Sequence, residues 1–186
     1  LVAKGSPWIE NAGFIEGNPI RHVWIVEVNG HELVARAPGV IFFSIPAYLI
    51  FQAEEFTNLP GGLTAALLSA FSVLFMYLVA ASRLSNKAAV LVAVVFGFGT
   101  PVWAVAADAM WPHTITVFGI AGMAWAASKD RWWLVGLFGG IALTGRVHTA
   151  LIVAIVGLGV ALMRRRPDIV FKTAIPSAAI LGVTVL

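Results

Sequence analysis

The chain has 186 residues, of which 60% are hydrophobic and 11% are Asp, Glu, Lys or Arg. Soluble domains are about 45–50% apolar and about 25% charged, so this composition excludes a disordered chain and argues against a soluble globule. It predicts an integral membrane protein instead. The absence of cysteine excludes disulfides and thiolate chemistry, and a net charge of +3 is too small to indicate a nucleic-acid partner.

Residues 1–37 are mixed and polar, and they predict an outer loop that contains one β-hairpin. An alternating segment, Val23–Val28, is followed by Asn29-Gly30, a pair typical of two-residue hairpin turns, and then by residues 31–34. The chain begins without an initiator Met and ends inside the apolar run 178–186. We therefore expect it to be a piece of a longer protein.

The next segment, residues 38–51, is apolar but too short to cross a bilayer, and Pro46 interrupts it. A membrane span needs about 20 residues, whereas a shorter apolar stretch is typical of an interfacial or re-entrant segment. Gln52, Glu54 and Glu55 close the stretch. These features predict an interfacial helix over residues 38–56.

Residues 57–186 predict a transmembrane bundle, because they consist of long apolar runs separated by short polar turns. The stretch 132–163 is too long for one span, and Gly145-Arg146-Val147-His148 predicts a break that divides it in two. The predicted fold class is thus an all-α integral membrane protein, a multi-spanning helical bundle. Its apolar runs are 61–82, 88–107, 112–128, the two halves of 132–163, and a last run from about 169.

Lys and Arg residues predict the orientation of this bundle, since they concentrate in cytoplasmic loops. If residues 38–51 do not span, Arg83, Lys87, Lys129, Arg131 and the run 164–166 share one face, which we assign to the cytoplasm. Most of the acids then lie outside. The run 164–166 is interpreted as a topology signal.

Polar residues near the outer boundary are the candidates for chemistry, because ionisable groups at membrane depth are costly. They form three clusters, which are His31, Glu32 and Arg36; Asp108, Trp111 and His113; and Arg146 and His148. A plainer interpretation stays open for these residues: a solvated helix end for Asp108, an interfacial residue near a helix start for His113, a snorkelling side chain for Arg146, a structural role for His148, and a local ion pair for Arg36 with Glu32. There is no nucleotide-binding fingerprint and no His-Glu-x-x-His or Gly-x-Ser-x-Gly motif.

The order of these motifs resembles a family of membrane glycosyltransferases. The relevant segments are Gly-His-Glu-Leu-Val-Ala-Arg-Ala-Pro-Gly (30–39), Pro-Ala-Tyr (46–48), Phe-Gly-Thr-Pro-Val-Trp (98–103), Trp-Pro-His-Thr (111–114) and Leu-Thr-Gly-Arg (143–146). The pattern is similar to the protein mannosyltransferase and aminoarabinose transferase group, which has the GT-C fold and uses polyprenyl-phosphate sugars. The resemblance covers most of the chain, and Arg-x-Pro-Gly with Gly-Thr-Pro-x-Trp is its most specific part.

The resemblance implies an inverting glycosyltransferase at the outer face of the plasma membrane, with a polyprenyl-phosphate sugar as donor and a glycan or protein as acceptor. The family carries a catalytic Asp in its first outer loop, but residues 1–37 contain no Asp. That residue either precedes Leu1 or is replaced by Glu10 or Glu16. The implied catalytic residues are Asp108, Glu10 and Glu16, and the implied substrate-binding residues are Arg36, His31, Glu32, His113, Arg146 and His148.

Two further hypotheses remain open at this stage, a fragment of a transporter or permease and a structural subunit without catalysis. Transporters place broken helices and ionisable residues near the midplane, whereas the charges here lie at the outer boundary. A divalent cation bridging Asp108 and a phosphate is compatible with the sequence, but no ligand spacing requires one.

Overall fold

The computed structural model describes residues 25–34, 37–52 and 57–185. The chain is mostly helical. The predicted hairpin is confirmed, since β1 (Ile25–Val28) pairs antiparallel with β2 (His31–Val34) and Val28 lies opposite His31. Asn29 and Gly30 both have positive φ angles, of 53° and 79°. A two-residue hairpin turn of type I′ requires positive φ at both of its central residues.

Seven α-helices follow the hairpin in the described part of the chain, and sequence explains several of their boundaries. Proline stands in the first turn of three of them, where its missing N–H costs no hydrogen bond. The helices are α1 (Pro38–Phe51), α2 (Leu59–Ala81), α3 (Asn86–Phe98), α4 (Pro112–Ser128), α5 (Trp132–Gly145), α6 (Ala150–Arg164) and α7 (Asp168–Val185).

The long apolar stretch breaks where the sequence predicts, but the run 88–107 is not one continuous helix. Between α5 and α6 the chain forms a short 3-10 turn, Val147–Thr149. After α3 it continues as a π-helical segment, Val102–Ala106. Pro101 has no N–H to donate, and the Thr100 hydroxyl donates to the Phe96 carbonyl at 2.6 Å, so the helix is interrupted there.

Small residues bring the central helices α4, α5 and α7 close together. A Cβ added at Gly119 of α4 would lie 2.7 Å from the Cβ of Ala142 in α5. A Cβ added at Gly136 of α5 would lie 2.5 Å from the Thr173 carbonyl oxygen of α7. The Ser177 hydroxyl of α7 also donates to the Gly136 carbonyl at 2.8 Å. Such close backbone approach is typical of helices packed through small residues.

An aromatic cluster fills the space between α2, α4 and α5. Phe75 stacks on Trp125 with ring centroids 5.1 Å apart, and it meets Phe138 edge-to-face at 5.3 Å. Phe118 contacts Phe138 at 5.6 Å and Phe43 of α1 at 6.3 Å. The edge-to-face and offset arrangements are those that aromatic rings prefer.

Short turns make consecutive helices antiparallel, so α2 to α7 define two ends of the bundle. The "His113 end" contains the start of α2, the turn 107–112 and the turn 146–149. The "Asp130 end" contains the turns 82–85, 129–131 and 165–167. Helix α1 contacts the His113 end at both of its own ends, because Gly39 packs on Thr144 and the Tyr48 hydroxyl donates to the Thr57 carbonyl at 3.0 Å.

Two helical stretches in the described residues, Leu59–Ala81 and Val147–Arg164, are long and apolar enough to span a membrane. Little of each is covered by other parts of the chain, with 28% and 22% of their most apolar windows buried. Many of the large apolar side chains on these helices are exposed, among them Leu67, Phe71, Leu151 and Ile155.

We expect the close contact at Gly136 to be essential for stability. Gly136→Ala places a methyl group against the backbone of α7 and should lower the free energy of unfolding by about 1–3 kcal/mol. The matched control is Gly159→Ala in α6, where nothing lies within 4 Å of an added Cβ. Thermal unfolding of the purified variants in detergent measures the difference, and equal midpoints for both variants would contradict the packing described here.

Candidate functional site

His113 and Arg146 form a hydrogen bond at the His113 end, although they lie 33 positions apart in sequence. His113 is in the first turn of α4, and Arg146 directly follows the last residue of α5. The distance between Arg146 Nη2 and His113 Nε2 is 2.9 Å. Both side chains retain access to the surface.

The chemistry of this pair determines the state of the imidazole ring. A guanidinium group can only donate, so His113 Nε2 must accept and carries no hydrogen atom. The ring proton therefore lies on Nδ1. Because the acceptor is a neutral ring rather than a carboxylate, the positive charge of Arg146 is not compensated by this bond.

Asp108 lies at the same end, in the turn between the π-helical segment and α4. The Thr114 hydroxyl, one residue after His113, donates to the carbonyls of Ala106 and Ala109 at 2.8 and 3.1 Å and so holds this turn against α4. The backbone carbonyl of Asp108 lies near Gly62 of α2. Its carboxylate is exposed and forms no ion pair with any residue of the described ranges.

The remaining predicted site residues are distributed as follows. His148 is exposed in the turn after Arg146, at the same end. His31 and Glu32 lie on β2, and Arg36, Glu10 and Glu16 lie outside the described residues. Among 25–34, 37–52 and 57–185, no group of three or more His, Asp or Glu side chains is arranged to hold a metal ion.

The most extensive polar network lies at the opposite end and centres on the Asp130 carboxylate. Asp130 accepts hydrogen bonds from Trp132 Nε1 at 2.8 Å, Arg164 Nη1 at 2.6 Å and Arg166 Nη1 at 3.0 Å. Arg166 also donates to Asp168 at 3.0 Å, and Lys172 donates to Asp168 at 2.7 Å. The network joins the α4–α5 hairpin to the α6–α7 hairpin.

A cavity of about 270 Å³ adjoins this network. Three of its lining side chains, Arg131, Arg166 and Lys172, are cationic, and Asp130 is its acid. Its other walls are formed by Trp132, Trp133 and Leu134.

Hydrogen bonds and charge lower the pKa of Asp130, which lies in the turn outside the helices. The Trp132 indole N–H has the largest effect on this pKa, followed by the hydrogen bond from Arg166 and by the charges of Arg166 and Arg164. The pKa of Arg166 is raised in turn by its hydrogen bonds to Asp168 and Asp130.

Sequence reasoning missed the Asp130 network, since it interpreted the run 164–166 as a topology signal alone. The positions of the acids in the predicted topology could have indicated this network. Asp130 and Asp168 are the two acids that the predicted topology leaves on the basic face, and each now pairs with cations there. The partners of Asp130 are 34 and 36 positions away, so only the packing of two hairpins brings them together.

Comparison with known proteins adds no relative: no family model, no curated protein and no solved structure matches the chain.

The tautomer of His113 is a direct test of the bond to Arg146. We expect nitrogen NMR of the protein labelled at histidine to show Nδ1 protonated and Nε2 unprotonated when the ring is neutral. Arg146→Ala should remove this preference while leaving the signals of His148 unchanged. A protonated Nε2 in the neutral ring of the unsubstituted protein would contradict the geometry.

The lowered pKa of Asp130 predicts a stability contribution that depends on pH. This carboxylate stabilises the fold at pH values well above its ordinary pKa of 3.8, and the contribution is lost as the pH falls through and below that value. Asp130→Asn should therefore unfold at a lower temperature than the unsubstituted protein at neutral pH, and the two midpoints should converge in acid. Asp108→Asn, at the other end, is the control and should leave the neutral midpoint unchanged.

Proposed function

We propose that the chain is the membrane-embedded part of a glycosyltransferase that uses a polyprenyl-phosphate sugar, with its reaction centre at the His113 end. The observation that carries the proposal is the Arg146–His113 bond, which holds, at one end of an apolar helical bundle, a guanidinium that forms no ion pair with the described residues.

The distribution of side chains supports a bilayer around the bundle. On α6 the exposed residues Leu151, Ile155, Leu158 and Leu162 form one stripe, while Gly157 and Ala161 face the neighbouring helices. A soluble protein rarely exposes so continuous an apolar surface. The same arrangement is favourable in lipid, where large apolar side chains contact acyl chains and small residues let the helices approach.

Hydroxyl groups within the helices support the same conclusion. Thr64, Ser72, Thr116 and Thr173 each donate to the carbonyl four residues earlier, at 2.7–2.9 Å. Bonding within its own helix satisfies a hydroxyl without water, which is what a hydrocarbon environment requires. We infer a multi-spanning bundle in which α1 lies across the His113 end as an interfacial helix.

Charge supports an orientation with the His113 end outside. Within the described residues, every Lys and Arg except Arg146 lies at the Asp130 end. Because basic residues concentrate on the cytoplasmic side, the Asp130 end is assigned to the cytoplasm of the cell and the His113 end to its outer face. A lipid-linked donor presents its phosphate at this outer surface, at the height of the lipid head groups.

The reaction needs one base and one group that stabilises the leaving phosphate. The acceptor oxygen forms a bond to the anomeric carbon of the sugar, and the bond from that carbon to the phosphate oxygen breaks, with the electron pair leaving on the phosphate. Asp108 takes the proton of the acceptor hydroxyl. Arg146 donates hydrogen bonds to the phosphate, and His113 holds the guanidinium in position.

A transporter is less well supported by the described residues. Transporters commonly place an unwound helix and ionisable groups near the midplane. The interruption after α3 is unwound, but 88–107 contains no ionisable residue and Thr100 satisfies the carbonyl of Phe96. The ionisable groups lie at the two ends of the bundle instead.

Activity measurements on membranes containing the protein test the proposal. Arg146→Ala should slow the release of polyprenyl phosphate from the sugar donor by about 100-fold or more, because it removes a donor aimed at developing negative charge. Arg83→Ala removes a cation from the Asp130 end and should retain the full rate. An unchanged rate in Arg146→Ala, at equal protein level in the membrane, would refute this site.

A further inference from the structure

We infer that the cavity beside Asp130 binds the phosphate head group of an anionic phospholipid from the leaflet at that end. This inference rests on the membrane embedding in the proposed function, and it is independent of the glycosyl transfer.

The cavity has a net positive lining. Asp130 is the acid in its wall, whereas Arg131, Arg166 and Lys172 are cations. Asp130 and Asp168 form ion pairs of 2.6–3.0 Å with Arg164, Arg166 and Lys172, so two negative charges offset only part of three positive ones. Arg131 forms no ion pair within the described part of the chain, so its charge remains for a ligand.

The cations of the cavity differ in how many of their N–H groups are already used. Arg166 points all three of its nitrogens at carboxylates, through Asp130 and both oxygens of Asp168, and so uses three of its five N–H groups. Lys172 uses one donor on Asp168, and an ammonium group has three. Arg131 and Lys172 are therefore the groups that would bind a phosphate, and Arg166 keeps the wall in place.

The apolar wall distinguishes a lipid from a soluble anion. Trp133 lines the cavity and is 52% exposed, and Leu134 lies beside it. Indole rings favour the boundary between head groups and acyl chains, because one edge is polar and the rest is apolar. A volume of about 270 Å³ accommodates a phosphate with part of its glycerol, and the acyl chains would extend outward along the exposed faces of the helices.

The experiment uses the protein reconstituted into nanodiscs of phosphatidylcholine with or without phosphatidylglycerol, and native mass spectrometry counts the lipids that remain bound. We expect phosphatidylglycerol to be retained in preference to phosphatidylcholine. Arg131→Gln with Lys172→Gln should weaken this preference about tenfold or more, since each basic residue near a bilayer surface contributes substantially to anionic-lipid binding. Arg131→Gln alone, which breaks no ion pair of the described residues, should cause a smaller loss in the same direction.

The matched control is Arg83→Gln with Lys87→Gln, which removes the same charge from the same end but away from the cavity. It should keep the preference, and equal losses in both double variants would overturn the site in favour of a diffuse surface charge. Competition by inorganic phosphate alone, with no selection among lipids, would overturn the lipid as the source. Failure of the protein to insert into bilayers would instead refute the membrane embedding on which the inference rests.

Discussion

The antiparallel contact between α4 and α5 is the constraint on which the candidate site depends. Gly119 lies against Ala142, and Gly145 packs against the Pro112 carbonyl, where an added Cβ would be 2.8 Å from the oxygen. With side chains this small in the interface, the two helices have one register in which their backbones meet. That register places Arg146, the residue after Gly145, beside the first turn of α4. Arg146 therefore contacts His113 directly from the end of its own helix.

At the Asp130 end, ion pairs join the α4–α5 hairpin to the α6–α7 hairpin. The turn between α4 and α5 presents one carboxylate, Asp130, to two arginines from the turn between α6 and α7. The side chains of these pairs are about half exposed, so each bond alone contributes little to stability. Together with the Trp132 indole they orient the two hairpins and form one wall of the cavity beside them.

Local sequence patterns predicted most helices, the hairpin and the main turn, but they did not predict the contacts between distant residues. Asn29-Gly30 predicted the hairpin because a two-residue turn depends on those two residues alone. The apolar stretch 132–163 is too long for a single membrane span, so Gly145 and the polar residues after it predicted the break that the structure shows. The interruption at Pro101 was missed because the residues around it are apolar, so the run 88–107 was predicted as one span. In the structure the Thr100 hydroxyl bonds to the Phe96 carbonyl, so the helix is interrupted without a polar segment. The common end of Asp108, His113 and Arg146 followed from the order of the spans, but their contacts did not, because a bond such as Arg146–His113 depends on helix register.

The two ends hold their cations in different ways. At the Asp130 end, Asp130 pairs with Arg164 and Arg166, and Asp168 pairs with Arg166, whereas Arg131 forms no ion pair with any residue that the structure describes. At the His113 end the acceptor is an imidazole nitrogen, which orients Arg146 without neutralising it. No carboxylate of the described ranges pairs with Arg146, so an anion that approaches it meets a guanidinium that is already held in place and positively charged. A leaving phosphate has the same requirement, since stabilisation is greatest when the donor does not have to reorganise as negative charge develops.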